Sequence, residues 1–143
     1  RGLGDVYKRQ LGDQLEEAGV PFQSPVGGHA LFIDAGRMLP HLEWKQYPGH
    51  ALATQLYLDA GIRSCDIGSY LMDRDPVTHE EQQAPFEFTR LAVPRRVYTQ
   101  SHMDVVAEAV TKIAREPEKV PGYRITWEPP VLRHFTSRLE PIR

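Results

Sequence analysis

Hydrophobic residues recur along this chain with two different periods. In "HMDVVAEAVTKIARE", Met103, Val106, Val110 and Ile113 fall three and four apart, which places them on one face of an α-helix. In "HALATQLYLDAG", Leu52, Leu56 and Ala60 repeat every fourth residue and predict a second amphipathic helix, closed by Gly61. "LGDQLEEAG", Leu11 to Gly19, reads as the last turns of another helix stopped by a glycine. Elsewhere the period is two. "HALFID" and "YRITW" predict strands, as does the short "IRSCDIGS", in which Ile62, Ser64 and Asp66 oppose Arg63, Cys65 and Ile67. Residues 86–93, "FEFTRLAV", alternate so that Phe86, Phe88, Arg90 and Ala92 share one side of a strand that ends at Pro94, which has no N–H for a ladder.

The intervening stretches are turn-rich: "VPFQSPVGG", the connector "GRMLPHLEWKQYPG", the polar "YLMDRDPVTHEEQQAP", and a Pro-Pro turn before the tail "VLRHFTSRLEP". Ser101 and Asp104 form an S-x-x-D signal that predicts a capping box at the start of the Met103 helix. The order of elements predicts an α/β fold of the small α+β kind, a small sheet with helices packed on one face.

Composition narrows the function classes. The chain has 143 residues, 41% hydrophobic and 25% charged, with a net charge of -2, the profile of one soluble globular domain. Acids and bases are interspersed, so no basic face for nucleic acid or an anionic membrane is expected. No apolar run approaches the roughly 20 residues of a membrane helix, and a cytoplasmic location is expected. Cys65, the single cysteine, cannot form an internal disulfide. Within "RGLGDVYKRQ", residues 1–10, "DVYKRQ" is the translation of GAT GTG TAT AAG AGA CAG, the end of a transposon adapter used in library preparation. These ten residues are therefore expected to be a sequencing artefact, and residues 11–143 the genuine part of a longer chain.

Six histidines raise the question of a metal, but none forms H-E-x-x-H or another ligand spacing, and no metal is expected. Gly27-Gly28 precedes a strand instead of following one, which suits a tight turn and not a phosphate loop. Ser101, His102 and Asp104 have the letters of a triad but project in different directions from a helix start. Arg95-Arg96 reads as a solvated pair, and Asp73, Arg74 and Asp75 as a loop ion cluster. His134, between Arg133 and Phe135, is either structural or at the rim of an apolar pocket. Arg90 is the sharper case. On an aromatic side, its guanidinium needs an anion, because burying it unpaired costs several kcal/mol. Asp34, Asp66 and a ligand carboxylate are equally good partners on these grounds, and bidentate carboxylate recognition suits Arg.

"LEEAGVPFQSPVGGHALFIDAGRMLPHL", "ALATQLYLDAGIRSCDIGSYLMDRDP", "TRLAVPRRVYTQSHMD" and "EPPVLRHFTSRLEPI" together carry a family resemblance over essentially everything after residue 10. The chain closely resembles the C-terminal region of the β-eliminating lyases, fold-type I enzymes dependent on pyridoxal 5'-phosphate (PLP). The resemblance implies the small C-terminal domain of an aspartate-aminotransferase-like architecture, with a large PLP-binding domain upstream. It implies that Arg90 in "TRLAVP" clamps the substrate α-carboxylate. It also implies that Ile67 and His134 lie at the side-chain pocket, His134 helping to orient or protonate an indole ring.

Two branches of the family are close. "PRRVYT" and "HMDVV" look more like the tyrosine phenol-lyases. Ile67, where those enzymes carry an arginine for the phenol hydroxyl, and His134, where they carry phenylalanine, look more like the tryptophanases. The implied reaction is cleavage of L-tryptophan to indole, pyruvate and ammonia, with PLP as the electron sink, in a homotetramer that depends on potassium. None of Lys8, Lys45, Lys112 and Lys119 stands in the family's PLP-lysine motif, so the chain by itself is expected to be inactive. The competing class is a non-catalytic α/β binding domain in which Arg90 pairs internally.

Overall fold

The computed structural model describes residues 3–23, 30–92, 100–130, 133 and 137–142, with only the backbone for residues 3–7, 92, 100 and 101. Four antiparallel strands form the main sheet. They are β1 (Phe22–Gln23), β2 (Ala30–Asp34), β3 (Cys65–Ile67) and β4 (Phe88–Ala92), in the order β1-β2-β4-β3. Three long helices, α1 (Leu3–Glu17), α3 (Pro48–Ala60) and α4 (Gln100–Arg115), cover one face, and a one-turn α2 (Ala35–Met38) follows β2. The hairpin of β5 (Tyr123–Trp127) and β6 (Arg138–Pro141) forms a second small sheet. This is the α+β class expected from the order of elements.

The periodicities explain the packing. Met103, Val106, Val110 and Ile113 of α4 are all buried, in one cluster with Leu11 and Leu15 of α1, and Gln14 Nε2 donates to Asp104 Oδ1 across the two helices at 3.1 Å. Pro48 opens α3, where its missing N–H costs nothing, and Gly61 closes it in the left-handed region (φ 68°) with its N–H donating to the Tyr57 carbonyl. Along β2 and β4, Leu31, Ile33, Thr89 and Leu91 point into the helical layer and are buried. The alternate residues form the outer face.

Several expectations shift. The strand around Arg90 begins at Phe88, two residues later than the alternation suggested. Ser101 lies in the first described turn of α4 with its side chain outside the described residues, so the capping-box expectation lies outside them too; Asp104 accepts from Gln14. Arg74 pairs with Glu128, and Asp75 accepts the backbone N–H groups of Val77 and Thr78. β1 and β6 were not anticipated. Both are short, with too few alternating positions to show a period. Gly27, Gly28, Arg95 and Arg96 lie outside the described residues.

Candidate functional site

Residues directly opposite one another in a sheet share a face. Arg90 on β4 pairs with Phe32 on β2 and with Cys65 on β3, and Phe88 pairs with Ile67. The outer face therefore brings together Phe32, Cys65, Ile67, Phe88 and Arg90. Phe86 stacks on Phe88 with centroids 5.0 Å apart, and Phe32 lies 6.1 Å from Phe88 on its other flank. Phe88 is thereby covered although it points outward, while Phe86 is 57% exposed. Of the three residues singled out in the sequence, Arg90 and Ile67 meet on this face; His134 lies outside the described residues.

The burial expected of Arg90 does not hold. It is exposed, because the aromatic residues it accompanies are on the side of the sheet that the helices leave uncovered. Neither proposed internal partner reaches it. Asp34 accepts the N–H of Arg37 at 3.1 Å as the cap of α2. Asp66 is on the inner side of β3, opposite Thr89. Among the described residues no carboxylate forms an ion pair with Arg90, so its two hydrogen-bonding edges are available to an anion from outside.

The inner side of the same strands is crowded and polar. Thr89 Oγ1 donates to the Gly49 carbonyl at 2.9 Å, which ties β4 to the first turn of α3. A side chain at Gly49 would put its Cβ 2.2 Å from Asp66 Oδ1 and 2.7 Å from the Phe88 carbonyl, so glycine is what lets helix and sheet approach this closely. Asp66 Oδ2 and Ser64 Oγ are buried without a hydrogen-bond partner among the described residues. Burial, and then the Glu87 carboxylate, push the Asp66 carboxyl up to about 7, with Arg133 acting in the opposite direction. Glu87 is itself pushed up by burial, against the bonds it accepts from Ser69.

The feature least visible in the sequence is Arg133, 1% exposed. Its guanidinium donates to the carbonyls of Ser69 (3.0 Å) and Tyr70 (3.2 Å) and to the carboxylates of Glu81 (3.0 Å) and Glu128 (3.3 Å). It lies over the rings of Tyr47 and Tyr70, 5.5 and 6.0 Å from their centroids. Desolvation opposes its charge, but Tyr47, Glu81 and Glu128 outweigh that and hold its pKa above the ordinary arginine value. The Tyr47 hydroxyl donates to Glu81, and burial together with that bond raises its pKa. Tyr47 adopts φ 56°, ψ 68°, a left-handed backbone that costs a non-glycine residue on the order of 1–3 kcal/mol. Glu81 and Glu128 are 52 and 5 residues from Arg133 and follow no helical or strand period with it. Only the neighbouring "RHF" hinted that this stretch mattered.

The β-eliminating lyase family profile matches residues 6–109. The chain belongs to that family. It is 50% identical over 128 residues to a tryptophanase of Haemophilus influenzae, covering 90% of this chain and 27% of that protein. It is 48% identical over 134 residues to a tyrosine phenol-lyase of Symbiobacterium thermophilum, covering 94% of this chain and 29% of that protein. A tyrosine phenol-lyase of Clostridium tetani is 48% identical over 132 residues, covering 92% and 29% respectively. The chain thus spans under a third of the length of these curated relatives, and overall identity is nearly equal for the two branches.

PLP is held by a lysine through a Schiff base, so the placement of this chain's four lysines bears on a cofactor site. Lys45 lies 5.5 Å from the Trp44 ring and Lys119 pairs with Glu116 at 2.6 Å. Lys8 lies in α1 and Lys112 in the last turn of α4. No lysine stands on β2, β3 or β4 with Arg90. Among the described residues no group of histidine, cysteine and acidic side chains is arranged to hold a metal ion, and no helix is long and apolar enough to cross a membrane.

Proposed function

We propose that this chain is the substrate-carboxylate-binding part of a PLP-dependent β-eliminating lyase that cleaves L-tryptophan to indole, pyruvate and ammonia, with the cofactor held by other parts of the enzyme. The observation that carries the reading is Arg90: exposed on an aromatic sheet face and without a carboxylate partner among the described residues. A planar guanidinium grips a carboxylate through two parallel N–H···O bonds, which sets the amino acid's orientation as well as its position. Held that way, the bond to be broken is presented in one direction, a proximity effect that can lower a barrier by several kcal/mol.

Ile67 supports the indole branch. It stands diagonally from Arg90 on the same face and supplies no donor or charge for a phenolate oxygen, whereas an indole ring needs apolar cover. Tyrosine phenol-lyase activity is the alternative, favoured by the 48% identity to enzymes of that name. The Trp over Tyr ratio of kcat/KM in a full-length enzyme carrying this chain separates the two.

In that enzyme Arg90→Ala is expected to lower kcat/KM for tryptophan by about 1.5–3 kcal/mol, roughly 10- to 150-fold, the range for a hydrogen bond to a charged group. Efficiency close to that of the parent would remove Arg90 from the site.

A further inference from the structure

We propose that Arg133 is a positioning residue for the face bearing Arg90 and Ile67, acting through Ser69 and Glu87; this rests on the reading of Arg90 given above. β3 is an edge strand of three residues, and so short a strand has few ladder bonds to hold its register. The chain leaves it directly into the single turn Ser69–Leu71. That turn is held from both sides. Arg133 donates to its first two carbonyls, those of Ser69 and Tyr70. From the opposite direction the Ser69 N–H and hydroxyl both donate to Glu87 Oε2, at 2.9 and 3.0 Å.

Glu87 immediately precedes β4. The relay Arg133–Ser69–Glu87 therefore joins the residue after Gly68, at the end of β3, to the residue before Phe88, at the start of β4. The two strands are clamped at the end where Ile67 faces Phe88, and two positions along, the same register places Cys65 opposite Arg90. Ser69 Oγ also accepts the Ala84 N–H at 2.9 Å, which fixes the returning loop against the same turn. Arg133 is itself immobilised by Glu81, Glu128 and the Asp73 carboxylate, which accepts its backbone N–H at 3.1 Å. A lysine keeps the charge but cannot reach two carbonyls and two carboxylates from one ammonium, so charge and geometry can be separated experimentally.

The experiment is a double-mutant cycle in the full-length lyase carrying this chain, with Arg133→Lys, Arg90→Ala and the pair, assayed below the melting temperature of every variant. Arg133→Lys is expected to raise KM for tryptophan about 5-fold with a smaller change in kcat, and to lose most of that effect in the Arg90→Ala background, as coupled residues do. A purely structural role predicts effects that multiply, or a lowered melting temperature with unchanged KM; either overturns the inference while leaving Arg90's role standing. Should Arg90→Ala alone behave like the parent, the reading of Arg90 fails and this inference with it. If Arg133→Lys does not fold, Ser69→Ala, which removes the hydroxyl from Glu87, must raise KM by the same coupling to Arg90, and an unchanged KM overturns the proposal.

Discussion

Around Arg133, oxygens from Glu81, Glu128, Ser69 and Tyr70 receive the guanidinium inside the protein, whereas on the outer sheet face no described carboxylate reaches Arg90. Both are arginines with a phenylalanine two positions away, Phe88 and Phe135, and short-range sequence treats them alike. What separates them is where each falls: Arg133 is enclosed among the Ser69 turn, Glu81 and Glu128, and Arg90 stands on the exposed outer face of the sheet. A charge inside must be matched where it sits, since removing water from a guanidinium costs several kcal/mol that only good geometry recovers. A charge outside keeps its hydration and stays available to a ligand. The comparison teaches that a saturated arginine is committed to architecture, whereas one exposed on a sheet face with no described carboxylate partner keeps its donors open to a ligand.

The strongest way to break this contrast is Arg133→Met in the full-length enzyme. It would leave Glu81 and Glu128 facing each other without their cation and strand two carbonyls, an expected loss of about 3–5 kcal/mol in urea unfolding. A loss under 1 kcal/mol would mean that the inner network is not what holds this region.

A second test concerns pH on the inner side. The Asp66 carboxyl titrates at about 7 in the folded protein, against 3.8 for the unperturbed group. Between those values the unfolded chain has given up a proton that the native state keeps, so Asp66 makes stability fall as pH rises from about 4 to 7, and the loss persists above that. Asp66→Asn should remove the fall. Relative to the parent it should gain on the order of 2–4 kcal/mol at pH 8 and almost nothing at pH 4. Parallel stability curves for the two proteins would show that Asp66 titrates normally.

The smallest expected effect sharpens the contrast most. Arg90→Ala should change unfolding free energy by no more than about 0.5 kcal/mol, as surface substitutions do, despite its cost to kcat/KM. A large destabilisation would make Arg90 a second structural cation.

The α4 helix was legible because Met103, Val106, Val110 and Ile113 repeat a local period that needs no partner to be recognised. The inner and outer sides of β3 were equally legible: Ser64 and Asp66 do oppose Cys65 and Ile67. The buried side of β4 was not, because alternation shows that Phe88 and Arg90 share a face but not which face the helices cover. Two aromatic rings suggested the core, and the core took Thr89 and Leu91 instead. Phe88 is covered by Phe86 and Phe32, a local aromatic shield on an otherwise open side.

The sequence alone determined the three long helices, strands β2, β3, β4 and β5, and the family, because each depends on spacing within a short stretch or on an extended run of matching residues. Tertiary structure decided which arginine is buried, that Asp34 caps α2 while Asp66 is buried on the opposite side of the sheet from Arg90, and that Arg133, Ser69 and Glu87 form one relay. Those outcomes depend on contacts between residues tens of positions apart, such as Arg133 with Ser69, 64 positions away, and no local period encodes them.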